Sequence, residues 1–96
     1  MNLTFTQING QYVAEVTVEA DFNIHIEKSR GYLLLKQRTP PDAGEWADVK
    51  SADFPYDDLI VDCDFSGAVY PKSIQVICED EPTLAVITSS GNVTAV

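Results

Sequence analysis

Leu59-Ile60-Val61-Asp62-Cys63-Asp64-Phe65, a break at Ser66-Gly67-Ala68-Val69-Tyr70-Pro71-Lys72, and then Ile74-Gln75-Val76-Ile77-Cys78-Glu79 form the stretch that decides the fold. In the first run Leu59, Val61, Cys63 and Phe65 share one parity and Asp62 and Asp64 the other; in the second, Ile74, Val76 and Cys78 share one. Strand side chains alternate faces with period two, so both runs read as strands with one buried side. A hairpin centred on Tyr70-Pro71 would set Cys63 directly opposite Cys78 and Asp62 opposite Glu79, with Asp64 and Glu81 nearby.

The same alternation extends through the chain. Leu3–Ile8 is a short expected strand ended by Asn9-Gly10, a pair suited to two-residue hairpin turns. Gln11–Ala20 alternates Tyr12, Ala14, Val16, Val18 and Ala20 against Val13, Glu15, Thr17 and Glu19, and Phe22, Ile24 and Ile26 continue an inward phase. After the basic turn Lys28-Ser29-Arg30-Gly31, Tyr32–Arg38 starts apolar on both sides with Leu33, Leu34 and Leu35. Such a start suits a central strand, or one whose outer face meets something else. Thr39–Gly44 holds paired prolines and reads as a loop, Glu45–Val49 as a short strand, and Lys50–Asp58 as an irregular connection. Leu84–Thr88 and Val93–Val96 complete the set. Seven to nine short strands at this spacing predict one all-β domain over residues 1–96, a single antiparallel β-sandwich of Ig-like or jelly-roll-like type.

Composition narrows the partners. Six basic residues against fifteen acidic ones give a net charge of −9. A field of that sign repels phosphate backbones and anionic lipid, so neither nucleic acid nor membrane is an expected partner. The imbalance is concentrated beyond residue 50, where Lys72 faces eight acids. No apolar run has the 18 or more residues of a membrane helix, and the start of the chain lacks the pattern of a secretory leader. The expected setting is therefore the cytoplasm, and an extracellular one only within an assembly.

No motif for catalysis, a metal or a cofactor accompanies the single histidine, His25, which falls on the polar side of its strand. The expectation is a non-enzyme without cofactors. Cys63 and Cys78 read either as small core hydrophobes or as a disulfide, depending on geometry and compartment. Lys28, Arg30, Lys36 and Arg38 gather four of the six basic residues, and Trp46 could stack on Arg38 if the 39–44 loop closes a hairpin. They balance acidic neighbours within one subunit, or they meet the acidic 57–64 or 79–81 stretch of a second copy. The second reading assigns an interface to Leu33, Leu35, Lys36, Arg38, Trp46, Asp62 and Asp64. Tyr12, Tyr32, Tyr56, Tyr70 and Trp46 offer a sugar-stacking alternative, and the acidic stretches an inhibitor that mimics nucleic acid.

Two patches carry a resemblance: Leu33–Arg38 followed by Gly44-Glu45-Trp46-Ala47-Asp48-Val49, and Val69–Val76 followed by Glu81-Pro82-Thr83-Leu84-Ala85. Their strand–turn layout and G-x-W hairpin resemble small β-sandwich accessory and tail-associated proteins of bacteriophages and prophages. That resemblance implies a structural or adhesion module without a catalytic site, homo-oligomeric and often trimeric, joined to other virion or cell-surface proteins.

Overall fold

Nine strands follow one another among the described residues of a computed structural model: β1 (Thr6–Ile8), β2 (Gln11–Val18), β3 (Phe22–Lys28), β4 (Gly31–Arg38), β5 (Ala47–Phe54), β6 (Leu59–Phe65), β7 (Lys72–Cys78), β8 (Leu84–Ser89) and β9 (Val93–Ala95). The description covers residues 1–28, 31–39, 44–54, 59–65 and 71–95, with side chains left aside at residues 28, 50–54 and 59–65. No helix is present among them. The strands form two antiparallel sheets. The larger runs β1-β2-β7-β4-β5, with β9 beside β1 on the same edge of β2; the smaller runs β6-β3-β8. This is the expected β-sandwich.

The pairing is that of a jelly roll. β4 pairs with β5, β3 with β6 and β2 with β7. The first residues pair with β8 through the Asn2–Val86 bridge and the Leu3 N–H bond to the Ala85 carbonyl. The chain thus folds back on itself about the β4–β5 connection, and the doubled strand coils across both sheets.

This pairing corrects the hairpin expected around Tyr70-Pro71. β6 and β7 lie in different sheets: Cys63 pairs in register with Ile24, and Cys78 with Tyr12 and Leu33. The two cysteines are therefore not cross-strand neighbours. Cys78 is fully buried, whereas the side chain of Cys63 lies outside the described residues. The Asp62–Glu79 opposition also dissolves, since Asp62 pairs with His25 and Asp64 with Asn23. Period-two burial identifies a strand and its faces but not its partner, so both strands were visible and their pairing was not.

A second correction concerns β5, which continues to Phe54 through residues expected to be irregular. Its register against β4 slips between Leu35 and Lys36. A bulge adds a residue to one strand and breaks the alternation by which a strand is recognised. The expected Asn9-Gly10 turn is present: Asn9 (φ 52°) and Gly10 (φ 78°) join Ile8 to its partner Gln11. Both positive angles suit the turn that follows the strand twist.

The core lies between the sheets. From the larger sheet, Ala14, Val16 and Val18 of β2, Ile74, Val76 and Cys78 of β7, and Leu33 and Leu35 of β4 point inward. Phe22, Ile24 and Ile26 of β3 and Ala85 and Ile87 of β8 meet them. Each fully buried Ile or Leu contributes roughly 1.5–3 kcal/mol of transfer free energy, which makes this layer the main source of stability. Leu3 adds to the same cluster, and Phe5, Tyr12, Val49 and Val93 pack against it.

Candidate functional site

Because the register aligns β2, β7 and β4 without interruption, the outward side chains of the larger sheet stand in rows across it. One row is Val13–Ile77–Leu34, all apolar and all partly exposed. The next is Glu15–Gln75–Lys36, extended by Asp48 on β5. The third is Thr17–Ser73–Arg38, with Thr94 of β9 at its far end. Directly opposed residues share a face, so each row is a band of neighbouring side chains.

The third row is built up into a ridge. The Arg38 guanidinium lies 4.6 Å from the centre of the Trp46 ring, the stacking expected from the short loop between them. Ser73 is only 1% exposed although it faces outward, and its hydroxyl oxygen is 3.3 Å from that of Thr17. Arg38 Nε is buried and has no hydrogen-bond partner. In the second row, Lys36 Nζ sits 3.8 Å from Asp48 Oδ1, a solvated contact that contributes little to stability. Beyond the apolar row, the Gln11 side-chain amide donates to the Tyr32 hydroxyl at 2.7 Å.

The residues expected at an interface separate accordingly. Lys36, Arg38 and Trp46 are brought together on this face. Leu33 and Leu35 are not on it: at 0% and 1% exposure they are core residues, and Leu34 is the leucine that reaches outward. The alternation of Leu33, Leu34 and Leu35 showed two apolar sides, but not which of them faced inward. Asp62 and Asp64 belong to the smaller sheet, and their side chains lie outside the described residues. The aromatic platform is not assembled either. Tyr12 packs against the core, Tyr32 and Trp46 lie at opposite ends of β4, and Tyr56 and Tyr70 lie outside the described residues.

Three further features lie away from this face. On the smaller sheet His25 Nε2 lies 3.1 Å from Glu27 Oε2, with Asp62 opposite His25 in backbone register. At the inner end of β7, Lys72 is 3% exposed and donates from Nζ to Gln37 Oε1 at 3.3 Å. Burial pushes its ammonium below the usual lysine range. A groove of about 330 Å³ also runs along the edge between residues 2–5 and 81–85. It is lined by the apolar Leu3, Phe5, Pro82 and Leu84 and by the polar Asn2, Thr4, Glu81 and Thr83 in about equal measure. Among the described residues no cluster of His, Cys, Asp and Glu could hold a metal ion, and no helix is long and apolar enough to cross a membrane.

No family model matches this sequence, and no curated protein or solved structure is significantly similar to it. The surface features of the sandwich are therefore the basis for any functional reading.

Proposed function

We propose that the chain is a non-catalytic β-sandwich module that acts through its surfaces, associating with copies of itself as part of a larger assembly such as a phage particle. One observation carries this reading. At one row the central strands of the larger sheet are apolar on both sides, with Leu34, Ile77 and Val13 aligned outside the core. A sheet whose outer face met only water would gain nothing from an apolar band there, whereas a contact surface gains from its burial. Fold alone assigns no role, since jelly rolls serve capsids, lectins and enzymes alike. The resemblance of Leu33–Arg38 and Gly44–Val49 to phage accessory modules supports the assembly setting.

Sedimentation equilibrium tests the reading. Mass increasing with concentration, at roughly micromolar to millimolar protein, is the expected result. A monomer throughout that range, at low and high salt alike, would remove it.

A further inference from the structure

The outward rows of the larger sheet have a symmetry that specifies how two copies would meet. β7 is the middle strand, with β2 and β4 on either side of it and β1 with β9 and β5 as the edges. A two-fold axis lying above β7 and parallel to it would exchange the β2 side of one copy for the β4 side of the other while keeping every row at its own height. We infer that the chain forms an isologous dimer through this face, with Glu15 of each copy against Lys36 of the other and the Val13–Ile77–Leu34 bands packed together. The inference rests on the self-associating reading above and adds the face, the symmetry and the contacts.

Charge and shape support this occupant. Row by row, the operation sets Val13 over Leu34 and Ile77 over its own copy, so the apolar bands cover each other completely. Glu15 and Lys36 stand on opposite sides of Gln75, about 10 Å apart at the usual strand spacing. Among the described residues the Glu15 carboxylate has no hydrogen bond or ion pair within its own chain. The two-fold gives it a cation and gives Lys36 a second anion besides Asp48. The bulky end of the third row, Arg38 with Trp46, falls over its small end, Thr17 with Thr94. Large against small is what interdigitation of two sheet faces requires.

Global electrostatics points the same way. A molecule of net charge −9 repels its own copies over most of its surface. These rows are an exception, because Glu15 and Asp48 are matched there by Lys36 and Arg38. Four strands and three rows cover roughly 400–500 Å² in projection per copy, about 800–1,000 Å² for the pair, the size of a weak, reversible contact rather than of a permanent dimer. The two-fold arrangement differs from the trimer that the phage resemblance implies.

Charge reversal in trans is the decisive experiment. Glu15→Lys sets lysine against Lys36 at both symmetric contacts, and Lys36→Glu sets glutamate against Glu15 at both. Each variant alone should dimerise at least about tenfold more weakly than the parent chain. In a mixture of the two, both contacts become attractive again, and dimers should return to within a fewfold of the parent. Recovery on mixing also shows that each variant is folded. If the parent associates and neither reversal weakens it, or the mixture is no better than its components, this face and its symmetry are wrong while self-association stands. A parent chain that is monomeric at every concentration would sink the underlying reading as well.

Discussion

Leu33 and Leu35 on β4 are closed off from water at 0% and 1% exposed, whereas Leu34 between them stays partly exposed. On β7, Ile74, Val76 and Cys78 are buried and Ile77 is partly exposed. The same residue types one position apart therefore serve two purposes. Inner ones hold the two sheets together, and outer ones form the band proposed above to meet a second copy. Hydrophobicity by itself does not separate the two, but register does, because it decides which parity meets β3 and β8. Substitutions on the two faces should accordingly affect different measurements.

The largest expected effect is on the inner face. Leu35→Ala should lower the unfolding free energy by about 2–5 kcal/mol in urea titration, since it leaves a cavity among Ala14, Val76 and the facing sheet. A loss under about 1 kcal/mol would mean that the inner face is not close-packed at this point. At the end of the same face, Lys72 gives a dependence on pH. Its folded pKa lies below the unfolded value because burial disfavours the charged form. Between those two values the unfolded chain binds more protons, so stability rises with pH through that alkaline interval and the penalty is fully present below it. Unfolding of the parent and of Lys72→Met should show the parent gaining on the variant as pH rises toward 10.5. Parallel curves would show that Lys72 is solvated.

Outer-face substitutions should be milder for folding. Arg38→Ala removes the stacking over Trp46 and uncovers Ser73, for a loss of about 0.5–1 kcal/mol and a change in tryptophan fluorescence of the folded state. Smallest of all is Leu34→Ala, with about 0.5 kcal/mol or less in urea titration of the monomer but a clear fall in association by sedimentation. If Leu34→Ala destabilised the monomer as much as Leu35→Ala, the distinction between the two faces would collapse.

Much of this architecture was legible in the residues. The alternation in Gln11–Val18 and Phe22–Lys28 gave strands and their inner parity, Gly31–Arg38 gave a strand but not its inner side, and Asn9-Gly10 gave the first turn with its positive φ angles. Pairing was not legible. Nothing local in Leu59–Phe65 says that its partner is β3, 31 to 43 residues earlier, rather than the strand that follows it. The Leu35/Lys36 bulge hid the second half of β5, because one added residue reverses the parity on which recognition depends. Within the candidate face, Lys36, Arg38 and Trp46 were identifiable from clustering and loop length. Glu15, Gln75 and Ile77 were not, since they join that face only through the β2–β7–β4 register.

The fold-back pairing also sets a timetable. β2 and β4 each take one of their neighbours from β7, yet β7 begins at Lys72, more than 30 residues after β4 ends. During synthesis the emerging Leu33-Leu34-Leu35 segment can pair with β5 on one edge, but its other edge has no seat until that late strand leaves the ribosome. Sheet closure is then a slow event dominated by distant encounters, and the waiting segment is sticky on both sides. Pauses in translation before residue 72 would prolong that exposure, and a holding chaperone would be most useful in that interval.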